Sequence, residues 1–422
     1  MKEEVLHYIW EQKCFDLRSL KTTSGASLEI LDFGTLNKNA GPDFLNAVIK
    51  IAGISWHGHV EVHVQSSAWY LHQHQNDPNY ESVILHVVWK DDHPVMIKEG
   101  QLLPCLVLEK RVAGSLLTKY QKLSTNKDSI PCSSFIPEID LSIVGVEIQN
   151  MAFYRLAYKM KTIQKKLEST RYDWETVFYQ MLARNMGFYV NGEAFLDLAQ
   201  RTPLYLIAKY KSSLTQLEAL LFGQAGLLSD KQTDSYVQEL WKEYQFLKHK
   251  HQLVPMRGNQ WKFLRLRPAN FPTIRIAQFA KILFQTHHLF SKALAMKEEE
   301  EVENMLGVQP SLYWQNHFVF GKKSKEQQKK LGKRACQLIL INTIAPLIYT
   351  YGHLRGQINY KERAVGFLKA LPSEENSIIQ NWAKFGISAA HAWETQGLIS
   401  LWKEKCQKKL CTSCKIGQSI IN

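Results

Sequence analysis

Six alternating residues, Ser55, His57, His59, Glu61, His63 and Gln65, set a carboxylate among three imidazoles. In an extended strand alternate side chains share a face. This stripe therefore occupies one side, and Trp56, Gly58, Val60, Val62 and Val64 the other, which is apolar enough to pack a core. Asp43 follows Pro42 and stands eighteen residues before Glu61. Two carboxylates brought together from neighbouring strands suit a divalent cation: Mg²⁺ prefers hard oxygen ligands and keeps several waters. Asp43 and Glu61 are the expected ligands. His63 would orient or deprotonate a water, since imidazole exchanges protons near neutral pH. A cation so held lowers the pKa of its water, so the chemistry in view is metal-assisted hydrolysis. The plainer alternative is a polar strand face turned to solvent.

The histidines reach further. His57, His59, His63, His72, His74 and His86 fall within thirty residues, six of the fifteen in the chain. Imidazoles with a carboxylate also suit Mn²⁺ or Zn²⁺, which adds His59, His72 and His74 to the metal-ligand candidates. On a helix, residues two apart do not share a face, so at most one of His72 and His74 is expected at the site. His86 lies in an apolar run and reads as a core histidine. A second candidate metal site is Cys406-x4-Cys411-x2-Cys414. Three thiolates at this spacing bind Zn²⁺ or an iron–sulfur cluster if a fourth ligand joins them, with Cys336, His391 and Cys14 as the candidates. Otherwise this is a structural tail with free thiols. Arg265 and Arg267 precede Pro268-Ala269-Asn270-Phe271-Pro272, and Arg275 follows near the start of a helix. These arginines suit phosphate contacts or, equally, a loop pinned by arginine–carbonyl bonds. Lys322, Lys323, Lys325, Lys329, Lys330, Lys333 and Arg334 read as a solvated helical face.

The elements that must position these groups follow from periodicity. Apolar residues in Glu3–Lys13 recur at helical spacing. Strands are expected at 28–33, 44–51, 56–64 and 83–89, with another through 102–108. Ala52-Gly53 is a hairpin turn, and a short helix runs from Ser66 to Gln75. The order is helix, three strands, helix, strand. A boundary in 124–137, rich in Ser, Asn and Pro, separates a domain 1–135 from 136–422. Beyond it the period is helical over 144–167, 174–185, 214–222, 233–250, 273–286, 325–351 and 375–384, and Glu298 to Glu301 is a solvated acidic run. At 422 residues, 45% hydrophobic and 22% charged, the composition is that of a globular protein of two or three domains. The net charge of +13 divides into −4 over residues 1–140 and +17 over the rest. A basic platform joined to an acidic site suits a polyanion, nucleic acid first. The first six residues read as a helix start, with no signal peptide. The longest apolar run, 338–349, is short for a membrane span and reads as a buried helix. Seven cysteines in a chain of this length argue against a disulfide scaffold and for the cytoplasm. No phosphate loop, dinucleotide fingerprint or serine-hydrolase elbow is present.

The element order, Pro42-Asp43 at the second strand and Glu61-x-His63 on the third resemble the PD-(D/E)xK nuclease superfamily. That resemblance implies that Asp43 and Glu61 hold Mg²⁺; His63 stands where those nucleases carry a lysine. Some of them also clasp an iron–sulfur cluster with one early and three late cysteines. Along most of its length the chain resembles a bacterial family known as a domain of unknown function. The likeness is carried by Asn39-Ala40-Gly41-Pro42-Asp43-Phe44, His59-Val60-Glu61-Val62-His63, Trp69, His72, His74, Ile84-Leu85-His86-Val87-Val88, Phe222-Gly223-Gln224-Ala225-Gly226, Leu266-Arg267-Pro268-Ala269-Asn270-Phe271-Pro272 and Cys411-x2-Cys414. The expected fold is α+β: a restriction-endonuclease-like α/β domain followed by a larger, mainly α-helical one. The expected function is metal-dependent phosphodiester cleavage in nucleic acid. Two alternatives stand beside it, a non-catalytic nucleic-acid-binding or scaffold protein with a degenerate nuclease core, and a histidine-rich metalloenzyme acting on a small molecule.

Overall fold

A computed structural model describes residues 2–97, 100–231 and 234–422; Met1 and Thr233, which fall in expected elements, lie outside them. The chain forms two compact units. The first comprises residues 1–148, 380–387 and 399–422, the second 149–379 and 388–398. A single break near 135 assigns the last twenty-four residues to the helical part, whereas residues 399–422 cluster with the N-terminal sheet. The fold class is α+β, as expected.

In the first unit, helix α1 (Glu3–Glu11) buries Val5, Leu6, Ile9 and Trp10. Strands β1 (Leu28–Asp32), β2 (Thr35–Leu36), β3 (Phe44–Ile51) and β4 (Ile54–Gln65) follow, then the single-turn helix α2 (Ala68–Leu71), β5 (Val83–Lys90) and β6 (Cys105–Val107). The main sheet runs β1-β3-β4-β5-β6, with β2 on β3. β1, β3 and β4 pair antiparallel, and β4, β5 and β6 pair parallel. Ala52 and Gly53 both take positive φ, the geometry of a two-residue hairpin that matches strand twist, and Ile51 pairs with Ile54 across it. The parallel β4–β5 pair needs a crossover, which α2 and two 3₁₀ turns provide. That crossover carries His72 and His74.

β4 differs from the expected one-faced strand. Val60 and Val62 are fully buried, but Glu61 and His63 on the other face are also buried, because α1 packs over them. Trp56, expected in the core, is half exposed on the outer part of the hairpin. The expected helix 66–75 shrinks to α2 followed by a 3₁₀ turn, His74–Asn76, after Gln73 turns left-handed.

The second unit is helical around one core. Its long elements include Trp174–Met186, Leu214–Gln224, Ser235–His251 and Pro272–Gln285. Among the described residues one helix, Lys333–Leu354, is long and apolar enough to cross a membrane, and 67% of its apolar window is buried inside the protein. It contains a π turn at Leu340–Ile344 and Pro346. Residues 325–332, expected to begin this helix, do not belong to it.

Candidate metal centre

Asp43 is placed by the loop before β3. Asn37 Nδ2 donates to the carbonyls of Ala40 and Pro42, and Asn37 N to the Asp43 carbonyl. Gly41 takes a φ of +104° there, open to glycine without strain. The two carboxylates brace one another's strands. Asp43 N donates to Glu61 Oε2 at 3.1 Å, and Val62 N donates to Asp43 Oδ2 at 3.0 Å. The β3–β4 ladder is irregular at this point, between Phe44 and Ala47. Side chains thus replace ladder bonds and bring both carboxylates to one place.

Imidazoles close around this pair. His63 Nε2 lies 3.4 Å from Glu61 Oε1 and 3.1 Å from His72 Nδ1, and His74 Nε2 lies 3.2 Å from Glu61 Oε1. His63, His72 and His74 each offer a ring nitrogen, all within 4.8 Å of one another. The left-handed φ of Gln73 reverses the chain between His72 and His74, so both reach the cluster where helical spacing allowed one. Behind them, His86 Nε2 is 2.9 Å from His63 Nδ1. Tyr80 stacks on His74 at 3.8 Å, and Trp69 packs against His74 and His86.

Helix α1 adds two groups that the sequence reading passed over. His7 Nε2 approaches Asp43 Oδ2 at 3.2 Å, and Glu3 Oε1 lies 4.0 Å from His63 Nε2. They sit one helical turn apart, so the i, i+4 spacing was the available signal. His59 is set apart: its Nδ1 accepts the N–H of Asn46, which has a φ of +59° in the β3 irregularity. His57 is exposed on the hairpin.

The electrostatics are those of a desolvated, mixed cluster. Burial and the neighbouring Asp43 charge raise the Glu61 pKa well above the carboxylate range. Burial, with the same Asp43 charge, raises Glu3. Burial and the imidazoles His86, His74 and His72 push His63 down to about 2, and burial pushes His86 to about 3 and lowers His74. Burial also pulls on His7, but its contact with Asp43 and the charges of Asp43, Glu3 and Glu61 carry it above its ordinary value. His7 Nε2 and His74 Nε2 touch carboxylate oxygens without the angle a hydrogen bond requires, and both are buried without a hydrogen-bond partner. A ring nitrogen held against a carboxylate without bonding it, as His7 Nε2 and His74 Nε2 are, is what a shared cation satisfies, whereas His63 Nε2 and His72 Nδ1 already bond each other. The donor set, two carboxylates with three imidazoles, fits Mn²⁺ or Zn²⁺ better than Mg²⁺.

The other expected groups separate. Cys406, Cys411 and Cys414 are each buried in the first unit and none is in a disulfide, but among the described residues only the His63–His72–His74 trio brings three possible ligand atoms within 4.8 Å of one another. Cys14 instead donates to Asn422 Oδ1 and the Gln12 carbonyl, while Cys336 and His391 belong to the second unit. Arg265 and Arg267 are exposed. Arg275 is 6% exposed and bonds Asn270 Oδ1 at 2.6 Å and Gln278 Oε1 at 3.0 Å. It stacks on Phe188 and is a structural group rather than a surface phosphate contact. Its Nε has no partner, and it lines a cavity of about 500 Å³ with Lys330 and Arg334. Lys329 is no part of a solvated face: it is buried, and its Nζ donates to the carbonyls of Trp314, Gln315 and His317.

A family model described as protein of unknown function (DUF2851) matches residues 3–377, most of the chain. That span includes the cluster around Glu61 but not the three late cysteines. No curated protein and no solved structure matches.

Proposed function

We propose that this chain, which belongs to the DUF2851 family, is a metal-dependent hydrolase that cleaves phosphodiester bonds in nucleic acid. The observation that carries the reading is the convergence of Asp43 and Glu61 with the His63–His72–His74 trio. The helix–four strands–helix–strand order, with Asp43 just before β3 and Glu61 on the neighbouring β4, supports a nuclease-type core.

When bound, a divalent cation supplies an activated water and charge stabilisation at the phosphate. Asp43, Glu61, His63, His72 and His74 would hold it. His63 is 1% exposed and bonded to His86 through Nδ1, an arrangement suited to a ligand backed by an outer partner rather than to a base that meets solvent. The proton acceptor is better placed at Glu3, whose side chain is 39% exposed beside the trio and whose pKa is raised toward the range useful for general-base work. The excess of basic residues beyond residue 140 would bind the polyanion.

A second reading, a metalloenzyme acting on a small molecule, is favoured by the histidine content of the donor set. Incubation of the protein with single- and double-stranded DNA and RNA, in Mn²⁺, Zn²⁺ or Mg²⁺, separates the two. Cleavage by the parent, lost with chelator and in Asp43→Ala and Glu61→Ala, supports the nuclease. Metal binding without cleavage or salt-dependent affinity for nucleic acid rejects it in favour of the small-molecule reading.

A further inference from the structure

Arg275, on the helix Pro272–Gln285, is 6% exposed. A guanidinium carries five N–H donors and a permanent charge. Nη1 donates to Gln278 Oε1 and Nη2 to Asn270 Oδ1, and both acceptors are neutral amides. Nε is buried without a hydrogen-bond partner. Burial lowers the guanidinium pKa to about 10, opposed only by the Cys336 sulfur. The group stands 4.8 Å from the centre of the Phe188 ring. Buried cations are otherwise paired with an anion, and this one has none.

The unpaired charge lies at the wall of a cavity of about 500 Å³ in the second unit. Asn270, Lys330, Gly332 and Arg334 also line it, and no acidic residue does. Lys330 is exposed and forms no ion pair among the described residues. Arg334 bonds the exposed Glu375 through Nη1 and Nη2, so its charge is shared. With Oδ1 taken by Arg275, Asn270 keeps its Nδ2 donors. Gly332 precedes the 22-residue helix Lys333–Leu354 and supplies no side-chain cap. The first backbone bonds there run from Ala335 and Cys336 to the Gly332 carbonyl. The N–H groups of Lys333 and Arg334 therefore have no partner within the helix. A Cβ at Gly332 would meet nothing within 4 Å, so this helix start is open rather than packed.

We propose that this cavity binds the phosphate group of a small phosphate ester. A buried guanidinium without a counter-ion is the observation that calls for an anion, and Lys330 adds a second free charge. The donors come from three separate stretches, 270–275, 330 and 332–334, which suits oxygens disposed around a tetrahedral centre better than the two oxygens of a planar carboxylate. Guanidinium, ammonium and helix-start N–H groups are the donors that hold phosphate elsewhere. The volume lies in the range of small-ligand sites and leaves room for the organic part of the ester. Because Arg275 is buried, a strand of phosphates lying on the surface does not reach it, whereas a terminal phosphate can enter. No residue of the Asp43–Glu61 centre takes part, and the proposal does not depend on the hydrolase reading.

The test is calorimetric titration of the full chain, in chelator so that no cation at the other centre captures the probe. The probes are inorganic phosphate and adenosine 5′-monophosphate, with adenosine as the control that lacks the charge. Saturable binding of a phosphate-bearing probe with a Kd below about 1 mM, absent for adenosine, is the expected result. Lys330→Ala should weaken it about tenfold or more, Arg275→Ala should abolish it, and Lys322→Ala, outside the cavity, should leave it unchanged. Lys330 is exposed, so its variant keeps the test decisive even if Arg275→Ala does not fold. Absence of saturable phosphate binding in wild type overturns the proposal, as does affinity unchanged in Lys330→Ala. Tighter Lys330-dependent binding of a 5′-phosphorylated oligonucleotide than of either small probe also overturns it, since the ligand would then be a nucleic-acid end.

Discussion

The first unit holds two buried sets of ionisable groups, and they are built oppositely. The cluster around Glu61 mixes carboxylates with imidazoles, leaves His72 exposed and Glu3 partly so, and contains ring nitrogens with no hydrogen-bond partner. Cys406, Cys411 and Cys414 are thiols closed to solvent and outside any disulfide, on a segment held by Lys405 and Lys409. The same unit therefore pairs a cluster partly open to solvent with thiols that are closed to it.

That division can be broken at its largest effect first. Asp43→Ala or Glu61→Ala should lower hydrolysis by about 10²- to 10³-fold, the scale of losing a principal electrostatic stabiliser, and each also removes a backbone hydrogen bond that its carboxylate accepts where β3 and β4 meet. Cys406→Ser, which changes a buried sulfur outside the carboxylate–histidine cluster, should leave hydrolysis unchanged. Calorimetry beside a cleavage assay reads both, and matching losses in both variants would erase the distinction. Next, His86→Ala removes the partner behind His63. Metal affinity at the histidine site should fall about 10- to 100-fold, measured by competition with a chelator.

Two further tests concern stability. Arg275→Ala leaves the buried Gln278 Oε1 without its partner in the second unit and should destabilise by about 1–3 kcal/mol in denaturant titration. Glu61 has a folded pKa raised above its ordinary 4.5, so protonation favours the metal-free fold. Its contribution is fully present below pH 4.5 and is lost as pH rises through the folded value, by at most about 1.4 kcal/mol per pH unit. Metal-free protein should therefore lose stability as pH rises above 4.5, and Glu61→Gln should flatten that slope. The smallest effect is at Arg267, which is exposed: Arg267→Ala should leave stability unchanged and reduce the salt dependence of nucleic-acid binding by about one unit of slope.

Much of this architecture was legible as pattern. The alternation 55–65 announced β4, Ala52-Gly53 announced its hairpin, and the apolar run 83–89 announced a strand buried between two parallel neighbours. Asp43 and Glu61 were legible as a pair because their strands are consecutive. Local rules failed where one residue reversed the chain. Gln73 in a left-handed conformation brought His72 and His74 together, and no periodicity encodes that. Asn46 diverted His59 by the same device. Glu3 and His7 were hidden because their helix is adjacent to the site only through packing on β4. The Lys329 ammonium, apparently one of a solvated run, is held by three carbonyls that only tertiary structure supplies. The acidic run at Glu298–Glu301 proved to be a helix start, with Glu298 and Glu301 forming a reciprocal capping box.

The central claim is that the Asp43–Glu61–histidine cluster is a cation site with an open position. Water-proton relaxation during Mn²⁺ titration of metal-stripped protein tests both parts at once, because it responds to bound Mn²⁺ that still carries exchangeable water. Saturable enhancement in the parent, lost in Asp43→Ala and Glu61→Ala but retained in Cys406→Ser, is the predicted result. Enhancement that persists in both carboxylate variants, or no saturable binding in the parent, would contradict it.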